Sequence, residues 1–342
     1  MRCLALAQAW QRRGGGATFL SHCEGDGIKR RVTQEGFRFV EIPKPWPDEE
    51  DLRETLAAVL GIEKEEERTR PLWVVLDGYH FNGAYQKAIR DTGIPLLILD
   101  DVGHWPEYHA DALLNAGIGA DRSLYPSSGG AKLLLGIKYL LLRREFLEAR
   151  ALNKDIPDKA ERILVTLGGA DSKNVTSRIL EGLSQIVEWQ LKVKMVVGSM
   201  NPHVRRLKEK AAPAGSRFEI LEDVHAMTEL MAWADLAIAG GGATCCELAF
   251  MGVPSLIVVL SENQKRLAEG LDGRCSISLG NEKNLVPEKI AQAVEALVPD
   301  QEKRKRMSLE GRQLVDGLGA DRVVDEMMGT IQRGTGTSWR MS

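Results

Sequence analysis

The run Leu236-Ala-Ile-Ala-Gly240-Gly241-Gly242-Ala243-Thr244-Cys-Cys-Glu247 carries an apolar stretch into three glycines and then into helix-forming residues. Glycines let a backbone approach a ligand closely, and a helix N-terminus offers unpaired N–H groups and a positive dipole end. A diphosphate suits both features, so the backbone of Gly241, Gly242, Ala243 and Thr244 is a candidate diphosphate cradle. A tight strand-to-helix turn without ligand is the plainer alternative. Glu247 falls about one turn into the helix, where a carboxylate can accept two hydrogen bonds from a ribose diol. It can also serve as a surface glutamate that answers the helix dipole. The spacing is not G-x-G-x-x-G, and no second acidic residue follows about 20 positions on, so a dinucleotide fingerprint is excluded.

Three further groups can take part in chemistry. Gly168-Gly169-Ala170-Asp171-Ser172-Lys173-Asn174 is a second glycine-rich corner, in which Gly168 and Gly169 can present backbone to a ligand. Asp171 or Ser172 can equally be a plain helix cap there. Asn263 and Gln264 follow the apolar run Ser255–Leu260, and their amides can donate to and accept from sugar hydroxyls. Asn263 can also be an N-cap. Asp77-Gly78-Tyr79-His80 follows the apolar run Leu72–Leu76. Tyr79 can hydrogen-bond a substrate and His80 can titrate near neutrality. His22, His104, His109, His203 and His225 read as solvated or capping residues.

These groups need elements to hold them, and the chain alternates strand-like and helix-like segments, the mark of a parallel α/β sheet. In the first half, helices are expected at 2–13, 29–34, 48–60 and 82–91. Strands are expected at 17–21, 37–42, 72–76, 95–99, 112–114 and 132–134. The polar stretch 148–160 contains Pro157 and marks a domain boundary. The second half repeats the pattern, with strands at 162–167, 192–197, 217–220, 236–239 and 255–260. Its helices are expected at 174–188, 202–212, 226–233 and 244–251, then helices alone to about 330. The fold class expected is two Rossmann-like, doubly wound domains, 1–150 and 151–330, facing a cleft, with a frayed tail at 331–342. In such sheets the ligand-facing residues lie at the carboxyl ends of strands. Those ends are Asp77, Gly168 and Gly240.

Composition narrows the function. The 342 residues carry a net charge of -3, against the concentrated basic excess of a nucleic-acid binder. No stretch approaches the roughly 18 uninterrupted apolar residues of a membrane span. Lys132–Leu142 is interrupted by Gly136 and Lys138, and the apolar start Met1–Ala7 is too short for a signal peptide. The charge run Glu63–Glu67 reads as a solvated helix end or loop. The five cysteines show no CxxC spacing and no histidine at metal spacing, so neither metal nor cofactor is expected. Reduced thiols point to the cytoplasm. A monomer is the expected state.

Taken in chain order, several stretches resemble the UDP-2,4-diacetamido-2,4,6-trideoxy-β-L-altropyranose hydrolases of pseudaminic acid biosynthesis. They are Met1–Ala7, Asp77–His80, Asp100-Asp101, Ala112–Asn115, Leu135–Arg143 with Arg144–Phe146, and Leu167–Asn174. They continue with Gly198–His203, Met227–Ala239 and Glu262–Gln264, so the resemblance spans residues 1 to about 280. The second half is also similar, more distantly, to the GlcNAc transferase that makes lipid II. The resemblance implies a GT-B fold and attack by water on the anomeric carbon of a UDP-sugar without a metal. It implies UDP held by the second domain and the water-activating group supplied by the first; Tyr79 and Asn263, each following a strand at the cleft end, are expected to face the sugar from opposite domains. The family opens with a strand and a Gly-x-Gly-His-x-x-Arg loop whose histidine is the expected base. Arg2 matches the arginine of that loop, and the histidine would precede Met1. The first domain is therefore expected to lack its first strand. Two alternatives stay open: a glycosyltransferase of the same fold, and a nucleotide-sugar binder without catalysis.

Overall fold

The computed structural model describes residues 1–23, 26–65, 72–150, 155–168, 171–198, 201–222, 224 and 226–335. The chain divides into two compact units, Met1–Arg144 with Gly317–Ser342, and Glu145–Asp316.

The first unit runs α1 (Arg2–Arg12), β1 (Thr18–Ser21), α2 (Gly27–Gln34), β2 (Arg38–Glu41), α3 (Glu49–Glu65), β3 (Val74–Asp77), α4 (Gly83–Arg90), β4 (Leu96–Leu99), β5 (Ala112–Asn115) and β6 (Lys132–Leu135). Its strands fall into two parallel sheets, β1-β2 and β3-β4-β5-β6. Helix α1 serves both. Leu4 and Ala7 join Phe19, Phe37 and Phe39 over the small sheet. Leu6 and Ala9 join Val75, Leu97 and Leu99 over the large one. Every residue of β4 and β5 is buried, as the continuous apolar runs require. Val74 and Val75 of β3 are only half-buried, as are all four residues of β1. Among the described residues, β1 and β3 each pair on one side alone. The strands of this unit thus form two separate parallel sheets, both packed on α1.

The second unit opens with α5 (Arg144–Ala149), which belongs to it from Glu145 on. It runs β7 (Arg162–Thr166), α6 (Val175–Gln185), β8 (Lys192–Val197), α7 (Val204–Ala211), β9 (Phe218–Glu222), α8 (Met227–Trp233), β10 (Leu236–Gly240), α9 (Thr244–Met251), β11 (Ser255–Val259), α10 (Lys265–Leu271), β12 (Ser276–Asn281), α11 (Pro287–Leu297) and α12 (Gln301–Leu314). One six-stranded parallel sheet has the order β9-β8-β7-β10-β11-β12. Buried Asp235 fastens its centre, accepting the backbone N–H groups of Glu161 and Arg162 and the Arg162 guanidinium. Ile179, Leu183, Ile290 and Val294 of α6 and α11 pack on this sheet in its largest apolar cluster.

Two sequence expectations are corrected. Helices alone were expected after residue 260, yet β12 adds an edge strand beside β11. Its Ser276-Ile-Ser-Leu279 alternates polar and apolar residues, which is the period of a strand with one covered face. The second domain was expected to run to 330, yet α13 (Gly319–Thr335) belongs to the first unit. Val323, Val324 and Met327 bury against Leu6 and Ala9 of α1. Each such side chain contributes about 1.5–3 kcal/mol when fully buried, enough to draw the helix back. The tail expected at 331–342 lies mostly outside the described residues, as does part of the run Glu63–Glu67.

Candidate functional site

In the second unit the sheet order reverses between β7 and β10, and a parallel sheet binds ligands outside the carboxyl ends of its strands at such a point. The two glycine-rich corners arise there. Gly168 follows β7 with a φ of +91°, a conformation suited to glycine. Gly240 closes β10, and a side chain on it would start 2.8 Å from Leu260 Cδ1 and 3.5 Å from the Leu167 carbonyl oxygen. The corners are therefore neighbours, and a side chain on Gly240 would displace the end of Leu260.

The two helices that leave these corners differ at their N-termini. Asp171 caps α6: its carboxylate accepts the N–H groups of Val175 at 2.8 Å and Thr176 at 2.9 Å. Helix α9 has no side-chain cap. Gly241 N–H donates to Val258 and Gly242 N–H to Gly240, while Ala243 and Thr244 N–H find no acceptor among the described residues. Ala243 is exposed and Thr244 half-buried, so both N–H groups border solvent. Behind them the Cys245 thiol donates to the Gly240 carbonyl at 3.0 Å, and burial pushes its acidity well down. Glu247 sits half-buried in the first turn of α9.

Gln264 closes the corner from the side. Its Oε1 accepts the Leu260 N–H at 3.0 Å, and its Cβ would lie 3.1 Å from a side chain on Gly241. A side chain on Gly242 would meet nothing nearer than 3.9 Å. Of the three glycines, Gly240 and Gly241 answer packing, and Gly242 has open space. Asn263 is exposed, and its Oδ1 accepts the Ser261 hydroxyl at 2.6 Å. Lys173 escaped the sequence reading: its ammonium donates to Glu282 at 2.6 Å and approaches the Leu260 carbonyl at 3.4 Å. Gly169 lies outside the described residues.

The first unit carries a separate polar group at the carboxyl ends of β3 and β4. Arg2 donates to Asp77 Oδ1 at 2.5 Å and to Asp101 Oδ2 at 3.1 Å. The Tyr79 hydroxyl donates to Asp101 Oδ1 at 2.7 Å. Burial, and then the Asp101 carboxylate, push the Tyr79 phenol up to about 12, so it holds its proton at neutral pH. Burial and Asp77 likewise push the Cys3 thiol up to about 12. Asp100 is buried and works on the loop: it accepts the N–H groups of Val102 and Gly103 and the Tyr108 hydroxyl. His104 Nε2 lies 3.0 Å from the Tyr79 carbonyl oxygen, so this histidine orders the loop that carries Tyr79. His80 is exposed and stacks on Phe81, with ring centroids 4.1 Å apart.

The structure thus brings Gln264 against Gly241 and Gly242, sets Gly168 beside Gly240, and joins Tyr79 and Asp77 through Arg2 and Asp101. The role of Asp101 was not legible from its position in Asp100-Asp101, because only the turn at Val102-Gly103 decides which carboxylate points inward. Among the described residues no helix is long and apolar enough to cross a membrane.

The glycosyltransferase family 28 C-terminal domain profile matches residues 162–318, the span that contains both glycine corners. The spore coat polysaccharide biosynthesis protein SpsG of Bacillus subtilis is 30% identical over 246 residues, which is 70% of each chain. The UDP-N-acetylglucosamine–N-acetylmuramyl-(pentapeptide) pyrophosphoryl-undecaprenol N-acetylglucosamine transferase of Stutzerimonas stutzeri is 28% identical over 276 residues, covering 75% of this chain and 72% of that one. Other curated relatives are matched over about half of their length. Among solved structures, MurG of Acinetobacter baumannii superposes with a TM-score of 0.65 at 21% identity, over 96% of this chain and 95% of that one. The fold is of the GT-B type, with two Rossmann-like units, and the chain belongs to the SpsG family and carries a glycosyltransferase family 28 C-terminal domain.

Proposed function

We propose that this chain is an enzyme of surface-glycan synthesis that hydrolyses a UDP-sugar, releasing UDP and a free 2,4-diacetamido-2,4,6-trideoxyhexose. The observation that carries the nucleotide part is the uncapped N-terminus of α9, at the switch point of the sheet, beside a corner closed by Gln264. Two free N–H groups and a positive helix end suit a diphosphate. In this reading the backbone of Gly241, Gly242, Ala243 and Thr244, with Gly168 and Gly169, takes the diphosphate, and Glu247 takes the ribose. Asn263 and Gln264 serve the sugar. The second unit is the UDP-binding domain, and in the first unit Tyr79 and Asp77, at the carboxyl end of β3, are the candidate polar residues.

Water as the acceptor is supported by the carboxylate behind Tyr79 and by the resemblance of residues 1 to about 280 to the UDP-sugar hydrolases. A second reading, transfer of the sugar to an acceptor hydroxyl, is supported by the family 28 match. The test supplies UDP-sugars without any acceptor. Steady release of UDP with an equal amount of free sugar supports hydrolysis. Release that requires an added acceptor supports transfer and removes the hydrolase reading.

A further inference from the structure

We propose that Lys173 is the cation that recognises the diphosphate, so that the site selects phosphorylated ligands over a plain nucleoside; the proposal rests on the nucleotide part of the reading above. Every residue involved belongs to the second unit. Lys173 lies in the turn between β7 and α6, and its ammonium reaches over the carboxyl ends of β11 and β12. There it donates to Glu282 Oε1 at 2.6 Å and approaches the Leu260 carbonyl oxygen at 3.4 Å. Leu260 in turn borders the glycine corner between β10 and α9. Its Cδ1 is what a Gly240 side chain would meet first, and its N–H is held by Gln264, which lies across Gly241. A short run of contacts thus sets a positive charge beside the corner whose Ala243 and Thr244 N–H groups find no acceptor among the described residues.

An ammonium carries three N–H donors. One goes to Glu282 and one, at long range, to Leu260, and among the described residues no acceptor takes the third. The side chain is half exposed, so that third donor is open to a ligand. The charge count points the same way. Glu282 is shared with Arg178, whose Nη2 lies 3.4 Å from its other oxygen. Arg178 also donates to the backbone carbonyls of Glu282 and Leu285, which fixes it to the turn before α11. Two cations around one carboxylate leave a positive charge uncompensated. Of the two, Lys173 is the more exposed and has the spare donor. If Lys173 leans towards a ligand, Glu282 keeps Arg178, so no buried charge is left unpaired.

The other charged groups on these elements are engaged elsewhere. The Asp171 carboxylate accepts the N–H groups of Val175 and Thr176. The Lys289 ammonium donates to the Leu279 carbonyl at 2.8 Å, and Lys265 faces Glu262 at 4.0 Å. His203 Nε2 lies 3.4 Å from the Ser172 carbonyl oxygen. Uridine and UDP share base and ribose and differ in negative charge. A cation held beside free N–H groups adds a charge-assisted hydrogen bond where a phosphate oxygen reaches it, and adds nothing for a neutral nucleoside.

The experiment compares the parent chain with the neutral variants Lys173→Met and Lys173→Gln and with Lys173→Arg. Calorimetry measures binding of UDP, inorganic diphosphate and uridine at low and high salt, and thermal unfolding checks each fold. The neutral variants should bind UDP about 10–100-fold more weakly, the loss of one hydrogen bond to a charged group. Inorganic diphosphate should weaken in parallel, and uridine should be unaffected. Their UDP affinity should fall less steeply with salt than the parent's, because one screened charge pair is gone. Lys173→Arg should recover most of the affinity. Neutral variants that bind UDP as the parent does would overturn the proposal and leave the nucleotide site standing. An equal loss for UDP and uridine would overturn it too, as the mark of a corner merely loosened. A parent that binds neither UDP nor inorganic diphosphate would overturn the nucleotide reading, and the role of Lys173 with it.

Discussion

Gln264 lies across Gly241, with its Cβ 3.1 Å and its Oε1 3.3 Å from the place where a Gly241 side chain would begin. The same Oε1 holds the Leu260 N–H, so the side chain cannot swing away without leaving a backbone donor unpaired. Gly241→Ala should push Gln264 off this anchor, and Gly242→Ala should not, since nothing lies within 3.9 Å of that site. If the diphosphate rests on Gly242, both variants should bind UDP more weakly, while only Gly241→Ala should lower Tm. Calorimetry and thermal unfolding on the pair separate the two effects. Unchanged affinity in Gly242→Ala would move the diphosphate elsewhere.

Glu247 enters the first turn of α9, the same turn whose N–H groups are proposed to take the diphosphate. A carboxylate so close to phosphates costs electrostatic energy unless a ligand donor repays it, and a ribose diol supplies two such donors. Glu247→Ala should weaken UDP binding by about 1.5–3 kcal/mol, the range for a hydrogen bond to a charged group. Its affinity for inorganic diphosphate should not fall. A variant that binds UDP as tightly as the parent would rule out the ribose role.

Most of the sheet framework was legible in the sequence because buried parallel strands are continuous apolar runs. Leu96–Leu99, Leu236–Ala239 and Ser255–Val259 are of this kind, and each became a fully buried strand. What escaped was set by long-range packing. Ser276–Asn281 is a half-covered edge, so its polar alternate residues hid it among helices. The return of α13 to α1 depends on partners more than 300 positions apart, such as Arg12 and Asp321 at 2.9 Å. The glycine corners could be read because local backbone demand writes itself into composition. The pairing of Tyr79 with Asp101 could not, because it joins the ends of two strands across a turn.

Two of the edge strands of the first unit make a dynamic prediction. Among the described residues, strands β1 and β3 are each paired on a single side, and their residues are largely half-buried. Strands β4 and β5 are buried throughout. Amide hydrogens at open edges exchange through small local openings, those in the interior only through larger ones. Hydrogen exchange followed by mass spectrometry should show Thr18–Ser21 and Val74–Asp77 losing protection well before Leu96–Leu99 and Ala112–Asn115. Equal protection of all four segments would mean that these edges are covered in solution.

Glu282 links the second glycine corner to the far edge of the sheet. Its side chain is 5% exposed, and it receives Lys173 at 2.6 Å and Arg178 at 3.4 Å. Its hydrogen bond to Lys173, opposed by burial and aided by Arg178, holds its carboxyl below the ordinary carboxylate range. A carboxyl lowered on folding contributes stability that is fully present above its unfolded value of about 4.3. That contribution is lost as the pH falls through the lower, folded value. Glu282→Gln keeps the shape and removes the charge, so it should cost about 1.5–3 kcal/mol at pH 7, the range for hydrogen bonds to a charged group. The cost should shrink as the pH falls from about 4.3 towards that lower folded value, where the parent loses the same charge. Urea unfolding at pH 7 and at acid pH measures both. Because Lys173 also approaches the Leu260 carbonyl beside Gln264, the variant should loosen the corner and weaken UDP binding as well as stability. A Glu282→Gln protein with the parent's stability at pH 7 would show that Lys173 and Arg178 gain nothing from this carboxylate.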